Sequence, residues 1–193
     1  MRRLVGRLAV ACLAAGATTA HADYSDYEVQ TLAALTVLIA ATAIRTPTPS
    51  EPDYLAFEVG RFDVLKNVQP STSFGAEYRF GKLLDWKFRP FVGAFVTTDH
   101  SFYGYGGIRF SAYWGERLVV TPSLAFGGYS PGDGKSLGNP AVIGRFGLDL
   151  EYRLDNDMRV GVAYHHMSNG KILLQDTNPG TEIIGVTFSI GLH

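Results

Sequence analysis

Alternation of apolar and polar residues with a period of two runs through the chain from residue 54 to its end. Eight segments show this period, each about ten residues long, and turn-forming residues separate them. They lie at roughly 54–65, 71–81, 87–98, 101–114, 117–129, 141–154, 158–169 and 181–192. Successive side chains of a β-strand point to opposite faces, so each segment predicts a strand with one apolar face. Eight is an even number and completes a small barrel, so the pattern predicts an all-β fold, an eight-stranded antiparallel β-barrel.

The two faces of these segments carry different side chains. In the sixth segment Phe146, Leu148 and Leu150 share one face, whereas Arg145 and Asp149 lie on the other. A soluble, lipocalin-like barrel would turn the apolar face inward, whereas a transmembrane barrel presses it against lipid. The polar faces mix Gly, Ala and Ser with charged residues, which suits a lumen too narrow for water. We therefore expect a transmembrane barrel of the outer-membrane type with a packed lumenal ion network. The predicted members of that network are Glu77, Arg79, Arg109, Arg145, Asp149 and Glu151.

Residues 1–22 have the layout of a secretory signal peptide. Three arginines precede the apolar run LAVACLAAGA, and Ala20-His21-Ala22 is a small-x-small cleavage pattern. Removing these arginines from the 17 basic residues leaves 14 against 18 acidic ones, a net charge near −4 that argues against nucleic acid as a partner. The only cysteine, Cys12, lies in the signal, so neither disulfides nor thiolate chemistry are expected in the exported chain. Export and a membrane barrel together predict the outer membrane of a Gram-negative cell.

A second apolar stretch follows the signal peptide. Residues 32–44, LAALTVLIAATAI, are shorter than the roughly 20 residues that a helix needs to cross a bilayer. We expect a short helix or extended arm that lies at the membrane interface or against the fold. The polar, proline-rich RTPTPSEP after it predicts a linker. The predicted organisation is a signal peptide at 1–22, an apolar segment and Pro-rich linker at 23–53, and the barrel at 54–193.

The lengths of the turns predict an orientation. YWGERL and RLDNDM are tight connections, whereas YSPGDGKSLGNP and NGKILLQDTNPG are long. Outer-membrane barrels keep short turns in the periplasm and long loops outside. The ends of the seventh and eighth strands around residues 165–182 are therefore expected at the external surface, beside the leaflet that contains lipopolysaccharide.

Three polar residues interrupt two apolar faces at that external end. The apolar face of the seventh strand, which includes Val160 and Val162, continues into His166 and Ser168, and extending the apolar face of the last strand backwards reaches Glu182. A hairpin centred near Leu174 sets Glu182 opposite His166, because each lies eight positions away. Ser168, His166 and Glu182 would then supply the nucleophile, base and orienting acid of acyl transfer.

Two short motifs in this region resemble those of the PagL family of outer-membrane lipid A 3-O-deacylases. They are H-x-S-N at 166–169 and N-x-G-x-E at 178–182. The resemblance implies an eight-stranded barrel with a Ser-His-Glu site on its lipid-facing wall. It also implies hydrolysis of an ester-linked acyl chain of lipid A, part of lipopolysaccharide, at the 3-O position, without a metal or organic cofactor. The loop between the motifs is slightly longer than in the family, which leaves a shift of Glu182 by one strand pair open.

The resemblance also implies a role for each residue of the site. Ser168 is the nucleophile, His166 the base, and Glu182 the acid that holds the histidine tautomer. Asn169, with backbone N–H groups near Gly170, is the candidate for stabilising the oxyanion and positioning the substrate. By strand alternation the neighbouring His165 points into the lumen, where a structural role is expected.

Other interpretations of the sequence stay open at this point. Ser168 and Asn169 are also common residues at the start of a loop. The chain could then be a non-enzymatic structural or adhesive outer-membrane barrel, or a soluble periplasmic barrel that binds lipid. The sequence also leaves open whether two barrels pair as a homodimer.

Overall fold

The computed structural model describes residues 50–81, 87–138, 142–170 and 178–192, which form nine β-strands. They are β1 (Asp53–Phe62), β2 (Ser71–Arg79), β3 (Phe88–Thr97), β4 (Phe102–Phe110), β5 (Ala112–Trp114), β6 (Leu118–Ser130), β7 (Ile143–Arg153), β8 (Arg159–Ser168) and β9 (Thr181–Leu192). All described residues belong to one compact unit, Thr48–His193. The predicted signal peptide and most of the predicted segment 23–53 lie outside the described residues. Within the described part of the chain, no helix has the length and apolar character needed to cross a membrane.

The sheet closes on itself. Neighbouring strands pair antiparallel in chain order, and β1 also pairs with β9, with Phe57 opposite Phe188. Both β4 and β5 pair with β6, so they are two pieces of one barrel strand. The fold is therefore a closed eight-stranded antiparallel barrel, as predicted.

A proline of β6 lies opposite the end of β4, next to the break between β4 and β5. Arg109 pairs with Ser123 and Ala112 pairs with Val120, so the register continues across the break without an inserted residue. This register sets Pro122 opposite Phe110. Proline has no backbone N–H, so Pro122 can donate no ladder hydrogen bond to either neighbouring strand.

The distribution of side chains across the wall is that of a membrane barrel. Val162 and Val186 on the outer face are 52% and 60% exposed, whereas Arg145 and Arg159 on the inner face are 2% and 1% exposed. A soluble barrel would have the opposite arrangement. The structure thus confirms the predicted choice between the two kinds of barrel.

The connections define two ends of the barrel, which we call the turn end and the loop end. Residues 115–117 and 154–158 join strands at the turn end, and residues 63–70 and 98–101 join strands at the loop end. The long connections after β6 and β8 also lie at the loop end, as predicted. The connection 98–101 at this end has four residues and is short, as the predicted segments 87–98 and 101–114 imply.

Paired charges fill the centre of the lumen, and all six predicted members are buried there. Arg79 contacts Glu77, Asp149 and Glu151 at 2.8, 2.7 and 3.3 Å, and Arg145 lies 3.1 Å from Glu77. An apolar and aromatic cluster packs between this network and the loop end. Its members include Phe62, Phe95, Tyr103, Leu137, Met167 and Ile183. The lumen is therefore a packed core.

Glu51 adds a charge to the lumen that the sequence interpretation assigned to the linker. Its buried carboxylate lies 2.6 Å from Arg89, 2.7 Å from Arg159 and 3.3 Å from Arg109, and it accepts a hydrogen bond from Tyr113 at 2.6 Å. With Glu51, five carboxylates face five arginines in the lumen among the residues that the structure describes. They are Glu51, Glu58, Glu77, Asp149 and Glu151, and Arg79, Arg89, Arg109, Arg145 and Arg159. Residues that precede β1 thus complete the charge balance inside the barrel.

We expect Glu51→Gln to destabilise the barrel, because it leaves three buried arginines short of a negative charge. Breaking a buried ion pair by removing one partner costs about 3–5 kcal/mol. Urea titration of the barrel refolded in detergent micelles measures the change. The matched control is Asp155→Asn, which removes an exposed ion pair with Arg117 and should leave the unfolding midpoint nearly unchanged. Equal midpoints for both variants would contradict the role of Glu51.

Candidate active site

The register of β8 and β9 brings two of the predicted site residues together. His166 pairs with Glu182 and Met167 pairs with Thr181 at the loop end. The side-chain atoms His166 Nδ1 and Glu182 Oε1 lie 3.2 Å apart, within hydrogen-bonding distance. The shift by one strand pair that the sequence left open does not occur.

Both side chains belong to the outer face of the wall but are covered. Val160 and Val162 precede His166 on that face, and Ile184 follows Glu182. Yet His166 is 9% exposed and Glu182 is 2% exposed, less than the sequence pattern implied for a lipid-facing pair. Shielding from water strengthens the electrostatic interaction between an imidazole and a carboxylate.

A glycine borders the imidazole ring on its other side. Gly180 has φ +51°, and a Cβ atom there would lie 3.4 Å from His166 Cε1 and 3.9 Å from Nε2. The positive φ disfavours other residues at this position. Gly180 therefore lets the backbone approach the ring while adding no side chain near Nε2.

Ser168 ends β8 two residues after His166 on the same face, and it is half-buried. Its cross-strand partner is Gly144, which has no side chain to cover the serine hydroxyl. Among the described residues, no hydrogen bond joins Ser168 to His166. The structure thus places the serine beside the histidine–glutamate pair without closing the third contact.

Asn169 is fully buried and makes contacts with its side chain and with its backbone. Its side-chain Nδ2 donates to the carbonyl of Leu137 at 3.0 Å, and its backbone N–H donates to Asn178 Oδ1 at 3.2 Å. The next residue, Gly170, is exposed and has φ +59°. The amide of Asn169 thus anchors a neighbouring connection, and the chain turns sharply at Gly170.

The adjacent histidine lies on the other side of the wall, as predicted. His165 Nε2 is 2.7 Å from Glu58 Oε2 and 2.9 Å from Arg145 Nη2 inside the lumen. His165 is 2% exposed and belongs to the ion network. Two consecutive histidines therefore pair with two glutamates on opposite faces of one strand.

Three further residues hold the ends of the site strands, and the sequence interpretation did not identify them. Asp63, Lys135 and Thr181 are buried at the loop end, and Asp63 contacts both of the others. Asp63 also ends β1 three residues earlier than predicted, because its φ of +56° turns the chain. Lys135 lies 72 positions from Asp63, so no local sequence pattern signals the pair.

Comparison with known protein families gives a match over most of the barrel. The family model described as Lipid A 3-O-deacylase (PagL) matches residues 72–191, which extend from the second residue of β2 to the penultimate residue of β9 and include all five predicted site residues. A comparison with curated protein sequences gives no match.

Two solved structures share the barrel fold. One is titled as the crystal structure of the outer membrane enzyme PagL, with a TM-score of 0.52, 16% sequence identity and coverage of 72% of this chain and 99% of that chain. The other comes from the de novo design of transmembrane β-barrels, with a TM-score of 0.53, 12% identity and coverage of 75% and 100%. At these identities the likeness establishes the architecture of the fold alone.

Proposed function

The chain belongs to the PagL family of lipid A 3-O-deacylases, and from this premise we propose that it removes an ester-linked acyl chain from lipid A, at the 3-O position, through Ser168, His166 and Glu182. The protein is an outer-membrane β-barrel of a hydrolase family. The observation that supports the proposed site most directly is the contact between His166 Nδ1 and Glu182 Oε1 on the outer face of the wall.

The contact with Glu182 uses Nδ1 of His166 and leaves the other ring nitrogen, Nε2, available as a base. When His166 Nδ1 carries the proton and donates to Glu182, Nε2 is the basic nitrogen. Nε2 takes the proton of Ser168 as its Oγ attacks the ester carbonyl, and it returns the proton to the oxygen of the leaving lipid A hydroxyl. The C–O bond of the ester breaks, and the acyl group stays on Ser168. Water, activated by the same nitrogen, then releases the fatty acid and restores the serine.

Ser168 must approach His166 for this transfer. Residues two apart on a strand lie about 7 Å apart at Cα, a separation that two side chains on one face can bridge. Catalytic hydrogen bonds are often long in unliganded enzymes and close when substrate binds. We propose that rotation of the Ser168 side chain brings Oγ to Nε2 in the complex with lipid A.

We assign oxyanion stabilisation and substrate positioning to Asn169 and Gly170. Because its backbone N–H and one side-chain N–H already hold Asn178 and Leu137, Asn169 acts by fixing the turn. The backbone N–H of Gly170 is then the donor offered to the oxyanion. A donor that is fixed before the reaction stabilises developing charge without reorganisation.

The position of the site suits a substrate that stays in the membrane. The proposed catalytic residues end β8 and begin β9 at the loop end, where outer-membrane barrels face the exterior. Acyl chains of lipid A would lie along the apolar outer wall below the site. The ester at the headgroup boundary would then reach Ser168 without leaving the outer leaflet.

Mass spectrometry of lipid A from Gram-negative cells that express the protein tests the proposal. Wild-type protein should remove one hydroxyacyl group per lipid A. Ser168→Ala should lower the rate by about 10³-fold or more, because it removes the nucleophile. Ser136→Ala, an exposed serine at the same end, is the matched control and should keep full activity. Unchanged lipid A with folded wild-type protein would instead favour the structural or adhesive barrel.

The two adjacent histidines provide a second test. His166→Asn should abolish labelling of Ser168 by a small fluorophosphonate, because the serine loses its base. His165→Asn should lower the labelling rate per folded barrel only modestly, since His165 faces the lumen and supports His166 only through the strand. The shift in gel mobility between folded and heated barrels gives the folded fraction. If His165→Asn abolished labelling and His166→Asn did not, the assignment of the base would be wrong.

Glu182→Gln tests the orienting acid. The substitution keeps the shape of the side chain but removes the charge that favours the imidazolium. We expect kcat to fall by about 10²- to 10⁴-fold with a smaller change in KM. Purified enzyme and lipid A in mixed micelles supply both constants. A kcat equal to that of the wild type would remove Glu182 from the proposed site.

A further inference from the structure

A buried acid at the loop end binds three separate parts of the chain. Asp63 Oδ1 accepts hydrogen bonds from Lys135 Nζ and from Thr181 Oγ1, the latter at 3.3 Å. Asp63 Oδ2 accepts the backbone N–H groups of Val68 and Gln69 at 2.8 and 2.9 Å. Both carboxylate oxygens are thus fully used, although Asp63 lies outside the strands.

Residues 63–68 also hold the start of β9. The backbone N–H of Val64 donates to the carbonyl of Glu182 at 3.2 Å, next to the contact between Asp63 and Thr181. Lys66 Nζ donates to the carbonyl of Pro179 at 2.8 Å. The proposed catalytic acid is therefore fixed by the connection that Asp63 organises.

Lys135 connects Asp63 to the part of the chain that contains the proposed nucleophile. It belongs to the segment 131–138, and two residues later the carbonyl of Leu137 accepts the side-chain N–H of Asn169. Asn169 directly follows Ser168 at the end of β8. The contacts thus run from Glu182 through Asp63, Lys135 and Leu137 to the residue beside Ser168.

We propose that the buried ion pair between Asp63 and Lys135 sets the relative position of the acid and the nucleophile. The inference rests on the proposed function and assigns both residues as positioning residues, since neither contacts the reacting atoms. It deepens that proposal by adding an ion pair between two connections, one of which holds Glu182 and the other the residue after Ser168.

The pair is costly to bury, and the strand ladder does not require it. Two buried charges repay their loss of hydration only with good geometry and further hydrogen bonds, which Asp63 receives from two backbone N–H groups and Thr181. Burial raises the pKa of Asp63, but the hydrogen bond from Lys135 and those from the backbone outweigh it and hold the pKa below its usual range. The carboxylate of Asp63 therefore stays ionised at neutral pH.

Kinetics of Lys135→Met on lipid A in mixed micelles test the inference. Losing Lys135 frees the segment that anchors Asn169, so the distance between nucleophile and acid is no longer held. Misplacement by about 1 Å costs roughly 100-fold, so we expect kcat to fall by about 10- to 100-fold. KM should change less than twofold, because the outer wall that receives the acyl chains is unaltered.

Two further variants separate positioning from stability. Asp133→Asn changes an exposed residue of the same segment, whose carboxylate contacts His100 Nδ1, and should keep the wild-type kcat. The double variant Asp63→Asn/Lys135→Met removes both buried charges, so it should unfold in urea at a higher concentration than Lys135→Met. Its kcat should nevertheless stay low, because the link between the loops is still missing.

The outcomes distinguish this inference from the proposed function. If wild-type protein is inactive on lipid A while folded, the function fails and the positioning role fails with it. If wild type is active, Ser168→Ala is inactive and Lys135→Met retains the wild-type kcat, only the positioning role is overturned. Recovery of kcat together with stability in the double variant would also overturn it, since the pair would then act through stability alone.

Discussion

Closure of eight strands leaves a lumen without room for bulk water, and this constraint organises the rest of the molecule. Inside it Arg145, Asp149 and Glu151 are only 2%, 3% and 0% exposed. Charges enclosed this tightly must be neutralised by other side chains, because an unpaired ion in such a site is very costly. In the described part of the chain the lumenal arginines accordingly meet as many carboxylates, one of which, Glu51, comes from outside the strands.

Because the lumen takes up the charged side chains, polar groups on the outer wall indicate a role other than holding the barrel together. Alternation sends the charged residues of each strand inward and leaves hydrocarbon outside, so a polar side chain on the outer face has no part in the lumenal balance. His166 and Glu182 are on that face, and they are shielded and paired with each other. A pair of this kind contributes little to closing a barrel. Its placement at the loop end beside Ser168 is what connects the fold to ester chemistry.

Strand alternation and hairpin symmetry explain how much of this could be predicted. His166 and Glu182 are 16 positions apart on neighbouring strands, so equal spacing from the hairpin centre sufficed to pair them. Glu51 and Arg159 are 108 positions apart and meet across the lumen, where no periodic pattern reaches. The contact between Asp63 and Lys135 could not be predicted for the same reason, since it joins two connections that have no periodic pattern. The two-residue alternation along a strand predicts which face of the wall a residue lies on. Contacts across the lumen form only when the sheet closes into a barrel, so the alternation does not predict them.

The two adjacent histidines connect the ion network inside the barrel with the proposed site outside it. His165 is bound inside by Glu58 and Arg145, and His166 is bound outside by Glu182, so one dipeptide serves both faces of β8. The lumenal contacts limit how far this part of β8 can slide or twist, because moving His165 would break charge-assisted hydrogen bonds in a site without water. A strand held in this way presents His166 at a fixed height on the outer wall. The ion network that keeps the barrel closed therefore also supports the geometry of the external site.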